Sequence, residues 1–124
     1  MNNFTRGRLF SFKYAFSGLR HVIVSQRNAW IHTGITAAVV LLAVFLKLSF
    51  QNWATLLLAI GLVWTAEIFN TALETLVDLA SPQQHPLAKI TKDVSAAAVL
   101  VSAIVSIAIG LLILLPPLLN RIFP

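Results

Sequence analysis

The chain has 124 residues, 58% of them hydrophobic and only 10% charged, with a mean hydropathy of +0.85, which allows one domain and excludes an ordinary water-soluble globule. Cysteine is absent, so a disulfide framework and thiolate metal sites are excluded as well. The net charge of +5 does not mark a nucleic-acid binder, because the basic residues cluster beside hydrophobic spans, where anionic lipid headgroups are the expected partner.

In chain order, the first element is a basic segment over residues 4–27. Phe12, Phe16 and Leu19 recur at helical spacing, with Leu9 three residues before Phe12, and Lys13, Ser17 and Arg20 form a polar stripe beside them. That pattern predicts a helix lying in the membrane interface rather than crossing it. Three hydrophobic segments follow. Residues 29–50 make the first, with His32 and Lys47 bracketing its uncharged centre and Lys47 near enough to an end to snorkel. Residues 53–79 make the second, opening on Trp53, an interfacial anchor type. A loop over residues 80–91 is expected next, with Ser81-Pro82 stopping the second helix and Pro86 keeping the link irregular. Residues 94–119 carry no charge, and Pro116-Pro117 is expected to end that helix.

A helix needs about 20 residues to cross the hydrocarbon, and all three segments qualify. The predicted fold is therefore all-α and integral to the membrane, one domain over residues 1–124, with three transmembrane helices and an N-terminal amphipathic interfacial helix. Arg6, Arg8, Lys13, Arg20, Arg27, Lys89 and Lys92 fall on one side, and only Lys47 and Arg121 on the other. The excess predicts a cytoplasmic N-terminus and a cytoplasmic loop around His85, in a cell inner membrane.

Three of the four acidic residues lie in the second hydrophobic segment. Glu67, Asn70, Glu74 and Asp78 follow a 3, 4, 4 spacing, which makes one stripe along a helix. Carboxylates in a span are costly, and by default they mark a functional site. A helix from Trp53 to Leu79 would be about 40 Å long, against a hydrocarbon core of about 30 Å. With Trp53 at the outer boundary, Glu74 and Asp78 project into cytoplasmic water and Glu67 sits about 7 Å below the boundary. One carboxylate is then at the depth of a lipid headgroup and another at the depth of a soluble reactant. Chemistry between a lipid and a soluble cosubstrate follows, with Glu67 as general base and Glu74 as ligand to a hard divalent cation. Asn70 lies between them, able to orient either.

The loop adds His85, Lys89, Lys92 and Asp93 at the cytoplasmic start of the third span, where cations suit polyphosphate. Asp93 is also in position to cap that helix. No Walker-type glycine loop, protein-kinase signature or GxSxG elbow is present, which excludes the conventional soluble nucleotide folds.

These residues resemble the prokaryotic diacylglycerol kinase and undecaprenol kinase family. The likeness centres on Glu67-Ile68-Phe69-Asn70-Thr71-Ala72-Leu73-Glu74-Thr75-Leu76-Val77-Asp78, then His85-Pro86-Leu87-Ala88-Lys89 and Lys92-Asp93, with Phe12-Lys13-Tyr14-Ala15-Phe16-Ser17-Gly18-Leu19-Arg20 upstream. It implies a homotrimeric membrane lipid kinase whose active sites are shared between subunits. Such an enzyme transfers the γ-phosphoryl group of ATP, with magnesium, to a lipid hydroxyl on the cytoplasmic side. It further implies that Glu67 is the catalytic base, and that Glu67 and Arg20 meet the lipid. Glu74 would be a metal ligand; Tyr14, Gln26, Glu74, His85, Lys92 and Asp93 would contact the nucleotide, with Asn70 and Asp78 in support.

Gln26 departs from the family pattern, standing where a second magnesium-binding glutamate is usual. A glutamine carbonyl can coordinate the ion but brings no charge. Two other readings stand beside the kinase: a weak or regulatory homologue, for which Gln26 is the motive, and a small ion- or proton-conducting oligomer. The His85-Pro86-Leu87-Ala88-Lys89 loop resembles the undecaprenol kinase branch more than the diacylglycerol branch.

Overall fold

The computed structural model describes residues 3–83 and 85–123, with side chains from residue 10 onward. The parts given to Arg6, Arg8 and Leu9 in the basic segment lie outside the described side chains. Among the described residues the chain forms four helices and no strand: α1 (Asn3–Ser25), α2 (Arg27–Phe45), α3 (Phe50–Ala80) and α4 (Pro86–Ile122). The last three are long and apolar enough to cross a membrane. The 19 residues of α2 give about 28 Å, close to the hydrocarbon thickness, while α3 and α4 overshoot it.

The helix α1 stands off the bundle. Its side chains are exposed from Phe10 to His21, and only Val22 is buried, just before the helix ends. A single chain therefore covers neither the apolar row of Phe12, Phe16 and Leu19 nor the polar row beside it. One extended residue, Gln26 (φ −100°, ψ 120°), breaks α1 from α2 without using its side chain as a cap.

The turn after α2 is a Schellman closure. Lys47 takes the left-handed conformation (φ 51°), its N–H donates to Val44 O, and the Leu48 N–H donates to Ala43 O. Ser49 then caps α3, its hydroxyl accepting from the Asn52 N–H at 3.3 Å. The helix therefore starts three residues before Trp53.

Two expectations for α4 are overturned. The loop is shorter than residues 80–91, because Pro86 opens the helix at its first turn and the His85 Nδ1 accepts from the Leu87 N–H at 3.2 Å. Proline suits that position, where its missing N–H costs no bond and its fixed φ is already helical. His85 is thus the N-cap, and Asp93 lies two turns inside the helix, bonded to Lys89. Nor does Pro116-Pro117 end α4, which runs on to Ile122. The two prolines forgo hydrogen bonds to the carbonyls four residues back. Packing carries the helix across them: Leu114 is buried with Ala43, Leu46 and Leu56, and Ile113 and Leu118 press on the same cluster. Beyond the prolines, the Arg121 guanidinium lies 4.7 Å from the centre of the Phe45 ring.

α3 and α4 are the main packed pair. That apolar cluster closes one end of the bundle, and the buried polar residues Glu67, Asn70, Thr71, Ser95 and Ser102 occupy the other part.

Candidate active site

Helical spacing brings Glu67, Asn70 and Glu74 onto the face of α3 that meets α4. Asn70 is buried and uses both ends of its amide. Its Nδ2 donates to Glu74 Oε1 at 3.2 Å, and its Oδ1 accepts from the Ser95 hydroxyl of α4 at 2.7 Å. Asn70 thus orients Glu74 and ties it to the neighbouring helix. Thr71 is turned inward too, but its hydroxyl donates to the backbone carbonyl of Glu67 at 2.9 Å, a bond within its own helix. Asp78 shares the stripe's register and parts from it in space: it is exposed and accepts from the Lys92 Nζ at 2.5 Å.

Glu67 is sealed. Its exposure is 0%, and neither carboxylate oxygen has a hydrogen-bond partner among the described residues. The imidazole of His32 on α2 faces it, with Nε2 3.8 Å from Glu67 Oε2. His32 meets Trp64 edge to face, ring centres 6.5 Å apart, and the Trp64 indole N–H donates to the Thr36 hydroxyl at 3.2 Å. One turn of α2 and one turn of α3 are thereby locked together around Glu67. A buried carboxylate without donors costs several kilocalories per mole, so it persists only where the fold or the chemistry requires it.

Three open spaces adjoin these groups. A cavity of about 270 Å³ between α2, α3 and α4 sets the polar side chains Asn28, His32, Asn70 and Glu74 among apolar ones such as Ile31, Val99 and Leu100. An apolar groove of about 340 Å³ begins at His32 and Thr36 and continues along α2, α3 and α4 towards Leu114 and Leu118. A wider hollow of about 760 Å³ at the α3–α4 turn is lined by Asp78, His85, Lys89, Lys92 and Asp93. Each lysine of that hollow comes with a carboxylate partner: Lys89 Nζ to Asp93 Oδ2 is 2.6 Å, beside the Lys92–Asp78 pair. The expected cation cluster is thus a rim of two exposed ion pairs, worth little to stability on their own.

The structure brings Glu67, Asn70 and Glu74 together, and separately His85, Lys92, Asp93 and Asp78. It does not bring Tyr14, Arg20 or Gln26 to either group: among the described residues, none of the three lines these spaces. Tyr14 and Arg20 are exposed on α1, and Gln26 is half-buried at the break. Two contributors were missed in the sequence. Ser95 shares a helical row on α4 with Ser102 and Ser106, spaced 7 and 4, small residues of the kind that let membrane helices approach. Ser106 donates to the Ala59 carbonyl of α3 at 2.9 Å. His32 had a weaker signal: with Asn28 and Thr36 it makes a polar row at four-residue spacing on an otherwise apolar helix.

The donor set fits magnesium in one way. Among the described residues no three His, Cys, Asp or Glu side chains gather as a metal-binding cluster. Glu74 is the one carboxylate lining its cavity, and magnesium commonly takes one or two protein carboxylates with phosphate oxygens and water completing its shell.

The fold is that of an integral-membrane helical protein with a sealed carboxylate inside the bundle and two ion pairs at the α3–α4 turn. The chain belongs to the prokaryotic diacylglycerol kinase family, whose model matches residues 13–114. It is 46% identical over 113 residues to a diacylglycerol kinase of Synechocystis, covering 90% of this chain and 65% of that relative. It is 41% identical over 108 residues to an undecaprenol kinase of Bacillus subtilis, covering 87% and 88%. A diacylglycerol kinase of Escherichia coli is 30% identical over 95 residues, with 76% and 77% covered. The chain thus spans just under two thirds of the Synechocystis relative and most of the Bacillus one. The family and these names indicate a lipid kinase.

Proposed function

We propose that the protein transfers the γ-phosphoryl group of ATP to the hydroxyl of a long-chain membrane lipid, diacylglycerol or undecaprenol, on the cytoplasmic side of the inner membrane. One observation carries the reading: the sealed Glu67 adjoins His32, where an apolar groove meets a cavity holding Glu74. A hydrocarbon chain lying in the groove would bring its hydroxyl to His32, beside the carboxylate that the protein keeps dry. Phosphoryl transfer needs positioning and charge neutralisation above all.

In this reading Glu67 receives the proton of the lipid hydroxyl, while the hydroxyl oxygen bonds to the γ-phosphorus and the β–γ bridging bond breaks to release ADP. Glu74, held by Asn70, would hold magnesium, which when bound would supply charge neutralisation for the phosphates. Lys92, His85 and Asp93 border the nucleotide, with Lys92 exchanging Asp78 for a phosphate oxygen. Asp78 keeps Lys92 in position until then.

The separation of α1 from both cavities supports a homotrimer with shared sites, in which Tyr14, Arg20 and Gln26 serve a neighbouring subunit's stripe. Gln26 would add an uncharged oxygen to the magnesium shell, and Arg20 would meet the lipid headgroup. Subunit mixing tests this assembly. An inactive Glu67→Gln chain combined under exchange conditions with an inactive Tyr14 or Gln26 variant is expected to regain activity, since some mixed oligomers hold one intact site. No recovery from folded, assembled parents contradicts shared sites.

The function itself is tested by labelled-ATP transfer to diacylglycerol and undecaprenol presented in parallel. Magnesium-dependent labelling of at least one lipid is expected. Labelling of neither, by folded protein in vesicles, overturns the reading, and ion flux through protein-containing liposomes would then favour a conducting oligomer.

A further inference from the structure

We propose that His32 is a catalytic residue, carrying the proton from the lipid hydroxyl to Glu67. The step rests on the lipid-kinase reading and deepens it. Glu67 is 0% exposed and lines none of the three open spaces, so a lipid hydroxyl in the groove or the Glu74 cavity does not reach its carboxylate directly. His32 lines both the groove and the Glu74 cavity, and its Nε2 is 3.8 Å from Glu67 Oε2. That separation is a few tenths of an ångström beyond a hydrogen bond, and catalytic contacts are often that long before substrate binds. The edge-to-face contact with Trp64, itself bonded to Thr36, fixes the plane of the imidazole.

Histidine is the side chain that can accept at one nitrogen while donating from the other. The balance is simple. The hydroxyl proton goes to one ring nitrogen as the Nε2 proton passes to Glu67, leaving the imidazole neutral again and the carboxylate protonated. The hydroxyl oxygen forms its bond to the γ-phosphorus, and the electron pair of the broken β–γ bridge leaves on ADP. The buried carboxylate and the cavity-facing imidazole thus divide the base function: the imidazole meets the hydroxyl and Glu67 holds the proton.

The test compares His32→Gln, His32→Phe and His32→Ala with Glu67→Gln and the double variant His32→Gln/Glu67→Gln, all at equal folded amounts in vesicles with labelled ATP. Glutamine can donate a hydrogen bond from the position of Nε2 but cannot relay a proton, and phenylalanine keeps only the packing on Trp64. The expected result is a kcat loss of about 100-fold or more for all three His32 variants. ATP KM should stay near the wild-type value, and the double variant should lose no more than either single one, because residues acting as a unit are not additive. Added imidazole should restore part of the His32→Ala rate. Retention of activity by His32→Gln makes the residue a hydrogen-bonding support, and retention by His32→Phe makes it packing; either overturns the relay. A double variant much slower than both single ones overturns it too. Wild-type protein that labels no lipid overturns the kinase reading itself, a separate result from an active wild type indifferent to His32.

Discussion

The two ends of this bundle are closed by different means. At one end Ala43, Leu46, Leu56 and Leu114 pack without a polar atom among their side chains, firmly enough to carry α4 through two consecutive prolines. At the other end Asn70, Ser95 and Glu74 are joined by hydrogen bonds across helices, yet Glu67, the most buried of the group, is left without a donor. A fold selected only for stability would not keep such a group, since an apolar residue of the same shape would cost less there. The difference separates structure from chemistry along one molecule, and substitutions at the two ends should fail in different ways.

The largest effect is expected from Glu67→Gln. Glutamine keeps the shape but takes no proton, so lipid phosphorylation should fall by about 10²–10⁴-fold. Thermal unfolding in detergent should stay the same or move upward, because a buried charge is removed. A variant keeping more than about a third of the wild-type rate would take the base function away from Glu67.

Glu74→Ala comes next. It should weaken the apparent affinities for magnesium and ATP together, and raised magnesium should restore part of the rate. The same treatment is expected to leave Glu67→Gln inactive. Initial rates over a magnesium titration check this, and identical responses of the two variants would erase the division of labour between the carboxylates.

At the apolar end, Leu46→Ala, in the packed cluster but outside the groove lining, should reverse the pattern. It opens a cavity in the packed cluster and should cost roughly 2 kcal/mol of stability or more, while the rate per folded molecule stays close to wild type. Unfolding curves paired with kinetics would show it, and a kinetic defect as large as that of Glu74→Ala would blur the contrast. The smallest change is expected from Asp78→Asn at the exposed rim, which should alter stability by about 1 kcal/mol at most, because the Lys92 pair is open to solvent.

Much of this was legible in the sequence, for reasons that differ by residue. The Glu67–Asn70–Glu74 face follows from helical spacing alone, and the three spans follow from length and hydropathy. Asp78 fits the same spacing, and its place along the helix puts it in water, but neither reports that it meets Lys92. His32 and Ser95 were not legible because each gains its meaning from a residue on another helix, 35 and 25 positions away along the chain. The prolines of α4 were misjudged because their local cost is real and distant packing offsets it. Asp93 was misjudged because a histidine cap followed by proline had already started the helix eight residues earlier.

The most direct measurement is phosphoryl transfer from labelled ATP to diacylglycerol and undecaprenol in vesicles, run side by side for wild type, Glu67→Gln and Leu46→Ala at equal folded amounts. Labelled lipid from wild type and Leu46→Ala, with Glu67→Gln slower by about 100-fold or more, is the predicted outcome. Comparable labelling by Glu67→Gln, or a loss shared equally by Leu46→Ala, would contradict the claim that the polar end alone holds the chemistry.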